Sequence, residues 1–137
     1  MKKEIKEHGI IIYDGNKGLK KFLVDILKEK KSFITFGEEG KPQKVLGKHF
    51  LDFIKKVEKS KISDRALSMS GVKSVGGKTS EFRIMPKGAK SPVSTVVYGD
   101  KVAQVIWSKP KAIVVVDKET ANSHRTYFEY IWDKAKK

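Results

Sequence analysis

Residues 9–14 read GIIIYD, a short β-branched run, and the segment that follows changes its periodicity at once. Leu19, Phe22, Leu23, Ile26 and Leu27 recur at i, i+3, i+4, i+7 and i+8, the spacing of a helix with one apolar face. A second run, SFITFG at 32–37, is followed by residues 43–59, where Val45, Leu46, Phe50, Phe53, Ile54 and Val57 fall on one helical side. Strand, helix, strand, helix in that order constrains the chain more than any other feature. It is the opening of an α/β domain whose strands run parallel. Asp14 or Asn16 is placed to cap the first helix.

The C-terminal third has a different signature. STVVY and KVAQVIW flank Gly99-Asp100, a two-residue connection suited to a tight hairpin. AIVVV, residues 112–116, is apolar without alternation, as expected of a strand covered on both faces. Asp117 then caps a closing helix whose stripe is Ala121, His124, Phe128, Ile131, Trp132 and Ala135. Between these parts, DRALSMSG and TSEFRIMP read as strands and VKSVGGK as a loop. The expected fold is α/β: a mixed β-sheet flanked by helices on both faces, in a single domain over residues 1–137.

Cysteine is absent, which removes disulfides and thiolate metal sites and points to a reducing, cytoplasmic setting. The charged start MKKEIKEHGI is unlike a signal peptide, and no apolar run has membrane-spanning length, so no membrane partner is expected. The net charge of +14 raises a nucleic-acid reading, since Lys and Arg on phosphates dominate such affinity. Along the chain, however, the charge is even: residues 1–61 hold 16 Lys against 9 acids, and residues 62–137 hold 14 Lys plus Arg against 7. The bland reading is a solvated lysine-rich surface.

Candidate chemistry is sparse. His8 lies in a charged stretch, and His49 and His124 sit on apolar helical stripes without an i+4 partner, so no metal site and no cofactor is expected. The GNKG turn at Gly15–Gly18 follows a strand and opens a helix, but it lacks the phosphate-cradling fingerprints. Ser68, Ser70 and Ser74 have no G-x-S-x-G elbow. Arg65 and Arg83 stand out because only three arginines exist and two fall in the irregular middle. Each could clamp a carboxylate, phosphate or sugar hydroxyl, or could form a structural bridge to Asp64 or Glu81.

Four stretches, IIYDGNKGLKKFL, FITFG, VVYGDKVAQVIW and RTYFEYIWDKA, taken in order, resemble the C-terminal effector domain of TrmB-type transcription regulators. The resemblance runs from about Ile10 to Ala135 and is most specific at VYGDKVA and FEYIW. It implies a phospholipase D-like half-domain. Active members carry His-x-Lys and then, after four intervening residues, Asp, with His as nucleophile and Lys on the phosphate. Setting that Asp at Asp100 places Val93 and Thr95 at the His and Lys positions, and a shift to Gly99 places Pro92 and Ser94 there. No catalytic residue is therefore expected, and a phosphodiesterase is the weakest reading.

The resemblance further implies a small-molecule effector, a sugar or an anion, and a homodimer. DNA would be reached only through a separate domain, since nothing before Gly9 has the length of a winged helix. A basic nucleic-acid-binding module stands as the alternative. Candidate ligand-binding residues are Arg65, Arg83, Ser94, Thr95 and Asp100, with Tyr13 and Phe36 as aromatic walls.

Overall fold

The structure is a computed structural model, and it describes residues 4–7, 9–38, 41–69, 76–86 and 91–136. Its strands are β1 (Glu4–Glu7), β2 (Ile10–Asp14), β3 (Phe33–Glu38), β4 (Asp64–Ser68), β5 (Ser80–Ile84), β6 (Val93–Tyr98), β7 (Lys101–Ile106) and β8 (Lys111–Val116). Its helices are α1 (Gly15–Glu29), α2 (Lys41–Leu46), α3 (Lys48–Lys59) and α4 (Lys118–Lys134). The eight strands form one sheet in the order β1-β2-β8-β7-β6-β3-β4-β5. β3, β4 and β5 are parallel, and every other neighbouring pair is antiparallel. The expected mixed sheet with helices on both faces is what forms.

Alternation along the strands assigns the two faces. Ile11, Tyr13, Phe33, Val96, Tyr98, Ala103, Val105, Ala112 and Val114 point one way and bury Leu19, Phe22, Leu23 and Ile26 of α1 and Phe50, Phe53 and Val57 of α3. Ile34, Val97 and Val102 point the other way, with Leu67, against Ala121, Phe128 and Trp132 of α4. Three helices thus cover one face and one helix covers the other.

Four sequence expectations change. The helix expected over 43–59 is two helices, because Gly47 adopts φ 53° between Leu46 and Lys48, a conformation that glycine tolerates at little cost. Asp14 takes the N-cap position of α1 but makes no side-chain cap bond. β8 is not covered equally on both faces: Ala112 and Val114 are fully buried under α1, whereas Ile113 and Val115 are half-buried. His49 is exposed on α3 rather than packed on its apolar stripe. The Gly99 turn and the Asp117 cap form as expected: Gly99 has φ 58°, and Asp117 accepts from the Thr120 amide at 2.9 Å. Ser70 and Ser74 lie outside the described residues.

Candidate functional site

Arg65 and Arg83 project from β4 and β5 to the face that α4 covers, since Arg65 pairs in register with Ile34 and Arg83 with Leu67. Phe128 and Trp132, four residues apart on α4, stack with ring centroids 5.4 Å apart. The Arg65 guanidinium lies 5.1 Å from each ring centroid, and that of Arg83 lies 4.5 Å from Trp132. Arg65 also makes a forked pair with Glu129, one arm of it 2.9 Å long, and this contact holds the Glu129 carboxyl below its ordinary range. Arg83 donates to the Trp132 carbonyl at 2.7 Å. Both arginines therefore fasten α4 to the sheet. Their partners are on α4, not Asp64 or Glu81 as the sequence allowed.

Beside this clamp, where β3 and β4 begin, is a polar cleft of about 330 Å³. Ser32 and Ser63 meet across its rim, hydroxyl to hydroxyl, at 2.8 Å. Asp64, Arg65, Glu81, Arg125 and Glu129 contribute charge, and Ile34 and Val97 form an apolar floor. Thr79 lines the same cleft, and its Oγ1 is buried with no hydrogen-bond partner among the described residues, an exception to the rule that buried polar groups are paired. Burial pushes the Asp64 carboxyl up to about 6, opposed by the Ser80 hydroxyl at 2.6 Å. Asp64 also borders an apolar cavity of about 70 Å³ beneath α1 and α3.

A second cleft, of about 200 Å³, opens at the other end of β3 and β4. Phe36, Gly37, Met69, Met85, Ser91, Val93 and Thr95 line it. Thr95 donates to the Gln104 side chain at 3.1 Å, and the Phe36 ring meets Phe128 edge-on at 5.1 Å. Val93 and Thr95, at the expected positions of a nucleophile and its cation, therefore do face a cavity, and its walls are mainly apolar.

The other expected site residues do not converge. Tyr13 is only 4% exposed and packs against Phe22 beneath α1, so it is core rather than a cleft wall. Ser94 points away from Thr95 and is buried, accepting from the Trp107 indole at 3.0 Å and donating to the Gly37 carbonyl at 3.3 Å. Asp100 is exposed in the hairpin turn, at the far end of β6 from Thr95, and its carbonyl accepts from the Asp117 amide at 2.8 Å. Only Phe36 and Thr95 share a cleft, Arg65 lines the other, and Arg83 is committed to Trp132. Sequence reasoning passed over Asp64 as a site residue, as it did Thr79, Arg125, Glu129, Met69 and Met85. An acidic side chain at the first position of an apolar strand was the one available signal for Asp64. Among the described residues, no group of three or more His, Cys, Asp or Glu could hold a metal ion, and no helix is long and apolar enough to cross a membrane.

No family model and no curated sequence matches the chain. Solved structures do. TrmBL2, described as an archaeal chromatin protein with a novel mode of DNA binding, matches with a TM-score of 0.63 at 13% identity over 98% of this chain. NucT from Helicobacter pylori matches with a TM-score of 0.62 at 11% identity, covering 92% of this chain and 96% of its own. Nuc from Salmonella typhimurium, a phospholipase D family member, matches with a TM-score of 0.61 at 10% identity, covering 93% and 97%. The chain has a phospholipase D-like fold. It spans 56% of TrmBL2. At these identities the likeness is one of architecture, and the functional reading rests on the clefts themselves.

Proposed function

We propose that the chain is a non-enzymatic effector-binding and dimerisation domain of the TrmB type. The observation that supports this reading is the cleft on β6, where, in the register that sets the family's Asp at Asp100, Val93 and Thr95 take the places of His and Lys. Val93 cannot form a covalent phosphoryl bond, and Thr95 brings no cation to the developing charge. The polar cleft at the opposite end supplies what a hydroxylated or anionic effector needs: two hydroxyls, an orphan Thr79 Oγ1, carboxylates and two guanidinium groups. A ligand that engages Arg65 or Glu129 there also engages the clamp on α4, so its binding biases the placement of that helix. The strip Ile10, Ile12, Ile113 and Val115, on the α4 side of the sheet and only partly covered, supports pairing with a second copy.

A thermal-shift screen against sugars and small anions, followed by calorimetry, tests this reading. Hits are expected to weaken about tenfold in Thr79→Val and in Ser63→Ala, as expected when a buried hydrogen bond is lost. Binding that both variants leave unchanged would remove the ligand from this cleft. Turnover of a generic phosphodiester, abolished by substitutions at Thr95, would overturn the non-enzymatic reading.

A second reading, a basic module that binds nucleic acid directly, is supported by the charge of +14 and by the likeness to TrmBL2, whose description includes DNA binding. It predicts affinity for unrelated duplexes that falls steeply with salt.

A further inference from the structure

The sheet separates the charges that the sequence spreads evenly. On one side, α4 carries Lys118, Arg125 and Lys134 against Glu119, Glu129 and Asp133, a balanced set. On the other side the helices are not balanced. Lys17, Lys21 and Lys28 recur at i, i+4 and i+11 and make one stripe along α1, while Lys48, Lys55 and Lys59 recur at i, i+7 and i+11 along α3. All six are exposed. At 1.5 Å of rise per residue each row is about 16 Å long. α1 packs against α3, so the rows lie side by side, and Lys20 and Lys56 line the groove of about 150 Å³ between them.

The acids of this layer do little to offset the rows. Asp25 and Glu29 both turn inward to Lys101, at 3.0 and 3.1 Å, and Glu58 accepts from the Lys78 amide. Asp52 alone borders the groove. None of the three arginines is here: Arg65, Arg83 and Arg125 are on the α4 side. The layer presents compact, strongly hydrated ammonium groups without the guanidinium forks that read base edges.

We propose that the outer face of α1 and α3 binds the phosphate backbone of duplex DNA without reading its sequence. This rests on the second reading above and names its surface. Duplex DNA carries one charge per roughly 3.4 Å of axis on each strand, so a row of about 16 Å faces around five phosphates of one strand. Packed helices lie about 8–10 Å apart, comparable with the ~12 Å major groove, so the two rows can follow the two strands that border it.

The test uses the full chain and two fluorescent duplexes of unrelated sequence, about two helical turns long, at about 50 and 200 mM salt. Both duplexes are expected to bind with similar affinity and to lose it steeply with salt. The set Lys21→Glu, Lys28→Glu, Lys55→Glu and Lys59→Glu is expected to weaken binding at least ~tenfold and to lower the salt slope by about 0.9 per lost contact. The set Lys118→Glu and Lys134→Glu on α4 is expected to leave binding within about twofold, since it touches none of these contacts. Weakening by the α4 set as large as by the α1–α3 set would overturn this surface and leave the second reading standing. Undetectable binding of wild type at the lower salt would end both. Circular dichroism distinguishes lost contacts from lost fold.

Discussion

Replacing Asp64 with Asn should make the protein more stable at neutral pH, with a pH dependence that only a buried carboxylate produces. Asp64 opens β4 and borders both the polar cleft and the apolar cavity under α1 and α3. Burial raises its carboxyl from 3.8 to about 6, opposed by the hydrogen bond from the Ser80 hydroxyl. Between pH 4 and 6 the folded chain holds a proton that the unfolded chain has released, so stability falls as pH rises through that window. Above it the loss is constant at about 3 kcal/mol, from 1.36 kcal/mol per pKa unit, an upper bound if water enters the cleft. Asn keeps an oxygen for Ser80 and removes the charge. Urea unfolding followed by circular dichroism, at intervals from about pH 4 to 8, gives the stability of each protein. The advantage of Asp64→Asn should be near zero at the acidic end and should grow to about 2–3 kcal/mol above pH 6. A gap of constant size, or one that shrinks with rising pH, would refute the placement of this carboxyl. A side chain that costs this much in a cleft is the kind that function retains.

Phe128 is fully buried between Phe36 and Trp132, so Phe128→Ala should cost about 3–5 kcal/mol in urea unfolding; a loss under about 1 kcal/mol would mean that α4 does not depend on this ring. Arg83→Met keeps an apolar stem but loses the contact with Trp132 and its carbonyl, and should cost about 1–2 kcal/mol. Its ligand affinity should stay unchanged, and a loss of affinity without a loss of stability would return Arg83 to the site. Burial, and then Asp25, pushes the Tyr98 phenol above its ordinary range. In an alkaline absorbance titration Tyr98 should stay protonated until the fold is lost, and Tyr98→Phe should remove that late component alone.

The elements that could be read from the sequence are those whose periodicity is decided by one large burial. α1 and α4 each bury a stripe, and the β6–β7 hairpin is fixed by a glycine that can hold φ 58°. β1 was not visible, because EIKE has the composition of a charged tail and becomes a strand only by pairing with β2. The division of α2 from α3 rests on the backbone of Gly47, which side-chain spacing does not report. At the site, scarcity drew attention to Arg65 and Arg83, but their partners lie 64 and 49 residues away. The order of the strands in the sheet alone brings them together. Alternation already tied Tyr13 to Ile11, on the side that α1 covers. The charge pattern was hidden for a related reason: its asymmetry lies across the sheet, and position along the chain does not measure that direction.

α4 is pinned at both ends to strands that are far apart in the sheet. The Asp117 amide bonds to the Asp100 carbonyl at the β6–β7 turn, and Lys136 forms a bridge with Ile84 on the outermost strand, β5. A helix fixed in this way behaves as a strut. If β5 rotates against β7, the strut cannot lengthen to follow, so the sheet's twist must be conserved, the helix must bend, or one of the two anchors must let go.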